Sequence, residues 1–337
     1  MRINWRFLLV IVLVAIVHSE VHRYAPGVYY RTFSASNPVG LRIKPGDTVV
    51  TRTLDAGGGD EKGVLRHKVF GNPLTGPFYI EGAEPGDALL VTLNKVRLNR
   101  NWGWTSYRLG LFSLMPSYIE RAYPNHYKRD LVHQGSDNRV PWDIDLSANT
   151  VRLREPQSGR VKLEFPAQPM LGCIGVAAEG EHSPDSHTGG SYGGNMDYNR
   201  IGEGATLRFP VFHPGALLYM GDGHALQGDG EPTGTGIETS MDVEFTVQVE
   251  KHAKLTMPRL ETADMIVSIG SQPEFSSDLN RALEMATTDM VNWLVDSYDL
   301  EPWAAHQLIG VQARYEVVTV AGSVALCIPK RFLPRRK

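Results

Sequence analysis

Over residues 41–98 apolar and polar side chains alternate in short runs, which predicts strands and turns rather than helices. Asp47 to Leu54 and Ala88 to Leu98 are rich in β-branched residues, and Pro45-Gly46 and Pro85-Gly86 punctuate them as turns. Both runs read Pro-Gly-Asp ahead of a strand, a match too short to establish a duplication. Strands are predicted again over Val161 to Phe165, Leu207 to Phe212, Ala216 to Met220 and Met241 to Val249. In the last of these Val243, Phe245, Val247 and Val249 share one face, so that face is expected to be buried. Helical spacing is strong once. From Ser277 as N-cap, the residues Leu279, Leu283, Ala286, Met290, Trp293 and Leu294 recur at intervals of three and four. A shorter helix is expected over Glu301 to Ile309, and Tyr315 to Ile328 returns to strand. The pattern predicts a mostly β, β-rich α+β chain, with sandwich- or barrel-like sheets and a small helical segment near the C-terminus.

The same reading divides the chain into five regions: residues 1–19, an N-terminal β region over 20–99, an irregular excursion over 100–160, a glycine-rich β region over 161–254, and a helix and strand region over 255–337. The first is set apart by Arg2 and Arg6 ahead of eleven consecutive apolar residues, Phe7 to Val17. That is the layout of a signal peptide with a cut after Val17-His18-Ser19, and the run is short of the ~20 apolar residues that span a bilayer. Export to the periplasm or the medium is expected, with no stable membrane span after removal. Outside the cytoplasm Cys173 and Cys327 could pair, but both lie in apolar runs, and two buried free thiols fit equally well. The excursion holds Trp102, Trp104 and Trp142 without sustained periodicity and reads as a surface loop.

With 34 Lys+Arg against 37 Asp+Glu the formal charge is −3, which gives no electrostatic reason to expect nucleic acid as a partner. The 34 Gly and 21 Pro favour many short strands over long helices. Candidate chemistry concentrates between Gly189 and Glu238. Asp222, His224, Asp229 and Glu231 fall within ten positions and are interleaved with Gly221, Gly223, Gly228 and Gly230. If the strand from Ala216 carries Asp222 and His224 at its end, their i, i+2 spacing puts a carboxylate and an imidazole on one face, a pair suited to a metal ion. Asp229 and Glu231 repeat the spacing and offer further oxygen ligands or a general base. The bland alternative is a turn carboxylate beside a core histidine, and the clustering weighs against it. Other motifs fail. The segment from Gly228 lacks a third dinucleotide-binding glycine, no Gly-Lys-Ser/Thr occurs, and an EF-hand would need more alternating acids. Ser191 in Gly189-Gly190-Ser191-Tyr192-Gly193 has the letters of a nucleophile elbow, but no hydrophobic strand leads into it.

At these residues the chain resembles the acetamidase/formamidase family of amide hydrolases, over roughly 41–329. The matching landmarks are Gly46-Asp47-Thr48-Val49 leading to Thr53-Leu54-Asp55-Ala56, and the run from Asn72 through Glu81 to Asp87. Further on come Pro169-Met170-Leu171-Gly172, Gly193-Gly194-Asn195-Met196-Asp197, and Gly221 to Glu231 with Glu238. His182 to Tyr192 departs from the family's usual short Pro/Gly/His-rich approach to Gly193. The resemblance implies a mostly β fold, a homo-oligomer, a divalent metal, and hydrolysis of a small amide substrate to carboxylate and ammonia. It places Asp55, Asp222 and His224 as metal ligands, with Asp197 as the candidate held in reserve, Glu231 or Glu81 as the proton-transfer group and Asn195 as an oxyanion donor. Imidazole suits zinc, while the surplus of carboxylates also suits Ca²⁺ or Mn²⁺. Two readings from other classes compete. One is a secreted, non-catalytic binding protein with Trp102, Trp104 and Trp142 as a stacking platform. The other is an oligomer subunit whose metal only stabilises the fold.

Overall fold

Met241–Glu250 alternates buried and half-buried residues along its length, and its inward side chains Val243, Phe245 and Val247 form the middle of the core between two sheets. The computed structural model describes residues 19–69, 71–107, 113–122, 139–154, 159–253, 255–272 and 278–336. The export segment read at residues 1–19 therefore lies outside the described residues, apart from its last position.

Among the described residues one sheet has nine strands, in the order Val21–Arg23, Thr48–Arg52, Met241–Glu250, Ala88–Leu98, Thr206–Pro210, Arg259–Glu261, Met265–Ser271, Ser323–Pro329 and Arg314–Thr319. The other centres on Leu218–His224, which pairs with Met170–Gly175 on one side and with Glu238–Thr239 and Thr75–Ile80 on the other. Phe78 of the second sheet meets Phe245 of the first edge-on, ring centres 5.1 Å apart, and this contact marks the interior of the sandwich. The expected mostly β sandwich is the fold observed.

The two Pro-Gly-Asp turns are built alike. Asp47 accepts a hydrogen bond from the Lys44 backbone N–H and Asp87 from that of Glu84, at 2.8 and 2.9 Å, so each carboxylate closes its own turn before a strand.

Met265–Ser271 is buried along its whole length because both its faces are covered. Val267 and Ile269 point into the sandwich, while Ile266 packs with Leu326 and Ile328 under the helix Leu279–Tyr298. Asp278 caps that helix by accepting from the Arg281 N–H at 3.0 Å; the expected cap, Ser277, lies outside the described residues. The expected apolar stripe needs one correction. Leu283 is exposed and Ala282 buried in its place, because the helix presses onto Gly270 so closely that a Cβ there would overlap the Ala282 carbonyl. A small residue has to face the strand at that crossing. The second helix, Pro302–Gln312, extends past its expected end at Ile309, with a proline in its first turn.

The excursion over 100–160 is not irregular throughout. Trp102–Ser106, Arg139–Asp145 and Thr150–Leu153 are strands that continue the second sheet beyond Glu238–Thr239. Their aromatics face inward. Trp104 and Trp142 are buried, Trp142 in a small cluster with Ile144, Val151, Ala225 and Ile237, and Trp102 lies under the Arg100 guanidinium. Three tryptophans used in this way form no exposed stacking platform. Cys173 and Cys327 are both buried free thiols.

Candidate active site

Leu218–His224 runs further than expected, so Asp222 and His224 lie within the strand and not past its end. Both are buried, and Asp222 lines a cavity of ≈ 190 Å³ whose wall also includes Asn72, Asn195, Asp197, Glu231 and Glu238. Each neighbour arrives by a different route. Glu238 is the register partner of His224 across the sheet. Asp197 follows the Gly193–Asn195 strand, two positions beyond the Cys173 partner Asn195. Glu231 leaves the Gly228–Gly230 turn. Asn72, Asp197, Asp222 and Glu231 all have positive φ, a backbone state that non-glycine residues seldom adopt and that collects at functional sites.

Hydrogen bonds hold the cluster in one arrangement. Asn72 Nδ2 donates to Asp222 Oδ2 at 3.0 Å and to Asn195 Oδ1 at 2.7 Å, and Asn195 Nδ2 in turn donates to Asp197 Oδ2. Gln227 Nε2 donates to the Asp197 carbonyl, which leaves Gln227 Oε1 to accept from His224 Nδ1 at 2.7 Å. The amide orientation thus assigns the Nδ1 proton and turns Nε2 inward, 3.1 Å from Glu238 Oε1 and 3.4 Å from Asp222 Oδ1. At the centre, Asp197 Oδ1, Asp222 Oδ1, Glu238 Oε2 and His224 Nε2 are buried and make no hydrogen bond.

Four carboxyl groups around one imidazole carry more negative charge than a buried site tolerates. Burial pushes Glu238 well above the ordinary carboxylate range and does the same to Glu231, which also feels Asp197. Burial and the neighbouring Asp222 push Asp197 up to about 7. Burial disfavours the charged form of His224, but Glu238 and Asp222 outweigh it and hold the ring well above its usual value. Such a constellation is balanced by protons or by a cation. Asp222, His224 and Glu238 each offer a ligand atom within 4.8 Å of the others, and so do Asp197, His224 and Glu231. Buried lone pairs converging without partners fit a divalent ion, and an imidazole whose far nitrogen is anchored by an acceptor is the usual outer support of such a ligand.

Of the residues singled out in the sequence, the structure brings Asp222, Glu231, Asn195 and Asp197 to the cavity wall, with His224 in contact with Asp222, and leaves Asp55, Glu81 and Asp229 elsewhere. Asp55 is buried, but its oxygens are already engaged: Oδ2 accepts from Arg100 Nη2 at 2.6 Å and Oδ1 from the Gly59 N–H at 2.9 Å. Glu81 is exposed on the turn after Thr75–Ile80 and has no part in the cavity wall. Asp229 is likewise exposed and bonds Asn199. Sequence reasoning assigned no role to Glu238, Gln227 and Asn72. Glu238 stood in the sequence only as a landmark of the resemblance, and its register with His224 is what makes it a neighbour.

Gly172 lies beneath this cluster. A Cβ there would collide with Asp197 Oδ1 and come within 2.8 Å of Asp222 Oδ2. Gly172→Ala is expected to displace both carboxylates and to reduce metal retention and turnover about 10-fold to 100-fold, with the thermal midpoint nearly unchanged. Elemental analysis beside a melting curve checks this; full metal content in the variant would contradict it.

A β-sandwich with a buried carboxylate–imidazole centre at the end of one strand defines the class of this protein. The description of the Acetamidase/Formamidase family matches residues 174–329 of this chain. The solved acetamidase of Yersinia enterocolitica is 28% identical, with a TM-score of 0.76 over 94% of this chain and 93% of that one. The formamidase of Methylophilus methylotrophus is 28% identical over 59% of this chain and 58% of its own length. The acetamidase of Mycolicibacterium smegmatis is 26% identical over 56% and 54%. The chain thus matches little more than half the length of these curated relatives, while the structural likeness extends over nearly the whole fold.

Proposed function

We propose that the protein is an exported, metal-dependent hydrolase that cleaves the C–N bond of short linear amides to carboxylate and ammonia. The observation that carries this reading is the set of buried, unbonded ligand atoms on Asp197, Asp222, His224 and Glu238 beside a cavity of ≈ 190 Å³, a volume suited to a small substrate. Names of relatives similar in sequence and in structure point to the same substrate class.

An amide resists hydrolysis because resonance stabilises its carbonyl and its nitrogen leaves poorly until protonated. Asp222, His224 and Glu238 would hold the divalent ion, zinc by preference for imidazole, with Ca²⁺ or Mn²⁺ as the carboxylate-favoured options. Bound there, the ion supplies Lewis acidity toward the carbonyl and a lowered pKa for water. The chain's own residues do the rest. Glu231, with its carboxyl raised by burial, is suited to accept a proton from the attacking water and release it again. Asn195 and Asn72 fix the carboxylates, and Asn195 faces the cavity with an amide that can donate to developing negative charge on oxygen. The walls contributed by Pro232, Val320 and Ala321 favour a short apolar acyl group.

Chelation is expected to abolish ammonia release from formamide and acetamide, and re-addition of zinc to restore it. Metal-free protein turning over at full rate would reject the metal, and no ammonia from any short amide would reject the hydrolase. Export follows from the segment Arg2 to Ser19, and N-terminal sequencing of the mature chain tests it. Homo-oligomer formation is part of the same reading, and Trp303 and Val311, exposed on the second helix, are apolar surface available for it.

A further inference from the structure

The cavity has a second pair of titratable groups that the mechanism above leaves unused. His187 lines its wall, and His187 Nδ1 lies 2.5 Å from Asp185 Oδ1. The same oxygen accepts the His187 backbone N–H at 3.0 Å, while Asp185 Oδ2 faces Arg31 Nη2 at 3.3 Å. His187 and Arg31 hold the Asp185 carboxyl below its ordinary range against the effect of burial, so it remains an acceptor. An ionised acceptor at Nδ1 fixes the ring's tautomer and makes Nε2 the atom that exchanges a proton with whatever enters the cavity.

Placement of that nitrogen is built in. The Cε1–Nε2 edge of the ring rests on Gly71, where a Cβ would overlap Cε1 and lie 2.5 Å from Nε2. Gly71 directly precedes Asn72, whose side chain donates to Asp222 and Asn195. One short stretch of backbone therefore sets both the carboxylate cluster and the imidazole edge.

We infer that His187, oriented by Asp185, is a catalytic residue that protonates the departing nitrogen of the amide. The inference rests on the amide-hydrolase reading. As the water oxygen bonds to the carbonyl carbon, one water proton passes to Glu231. When the C–N bond breaks, the nitrogen takes the electron pair and the Nε2 proton of His187, which enters the cycle as the imidazolium, and leaves as ammonia. The ring is left neutral, its Nδ1–H donating to Asp185. The proton held by Glu231 then returns through solvent to His187, and the carboxylic acid product ionises.

The test uses the metal-loaded full chain and three substrates with one acyl group, the amide, the hydrazide and the hydroxamate, whose leaving amines fall in basicity in that order. His187→Gln is expected to lower turnover about 100-fold on the amide and less than about 5-fold on the hydroxamate, because a weakly basic amine needs less help to leave. Asp185→Asn should show the same gradient with a smaller loss. Metal content should stay at the wild-type level in both. An equal loss on all three substrates, or none, would overturn the assignment of His187 while leaving the hydrolase intact. Wild-type protein inactive on all three would instead overturn the hydrolase reading, and this inference with it.

Discussion

Replacing His224 with alanine is expected to lower amide turnover by about 10³-fold or more and to remove bound metal, while the protein stays folded. The residue is fully buried and its Nε2 is the atom common to both possible ligand sets. Its loss leaves Asp222 and Glu238 facing each other across a gap with no partner able to carry positive charge. Gln227→Leu provides the graded comparison. It removes the acceptor at Nδ1 and so frees the ring without deleting it, and losses of this kind are typically about 10-fold to 100-fold. Turnover, metal content and thermal midpoint measured on both variants give the answer. Wild-type metal content and turnover in His224→Ala would clear the imidazole of both roles.

Asp55→Ala should have the largest effect on stability. Asp55 and Arg100 are both buried, with side chains 2% and 1% exposed, and the guanidinium also donates to Thr239 Oγ1 at 2.9 Å and to the Trp102 carbonyl at 3.0 Å. Removing the carboxylate leaves a buried cation without a counter-charge, which costs about 3–5 kcal/mol. For a chain of this length that corresponds to roughly a 10 °C fall in midpoint. Replacing both residues, Asp55→Ala with Arg100→Met, should recover much of the loss, since the unpaired charge is then gone. Because Arg100 also approaches the Glu238 carbonyl, the single variant is expected to lose activity indirectly. Loss of metal in Asp55→Ala with an unchanged melting curve would instead make Asp55 a ligand.

Asp55 and Glu81 show where reading the sequence stops. Each stands in a run that carried the resemblance to amide hydrolases, and each is an acid among glycines. Nothing in the chain order distinguishes a carboxylate claimed by an arginine 45 positions away, or one exposed on a turn, from one aimed into a cavity. Asp222 and His224 were legible because their relation is local: two residues apart on a strand, on one side of it, between glycines that let neighbouring backbone approach. Leu283 failed for the same kind of reason as Asp55. Its spacing suited the buried stripe, but the helix was rotated by close contact at Gly270, a position in a different element. The strands within 100–160 do alternate, Trp102 with Trp104 and Trp142 with Ile144, but each run is short and stands apart from the others along the chain, and only pairing between them makes a sheet.

What the sequence by itself determined is local. It set the period-two runs that form strands, the Pro-Gly-Asp turns closed by their own aspartates, the one strongly periodic helix, and the Asp222–His224 pair on a single strand face. Tertiary structure alone decided which acids join that pair. Glu238 becomes a neighbour through antiparallel register, Asp197 through the strand that follows Tyr192, and His187 through the missing side chain at Gly71. The physical reason is that a strand's alternation is dictated by bonds along the chain, whereas register between strands is chosen by burial over the whole sandwich. A side-chain cluster assembled from separate segments exists only once that choice has been made.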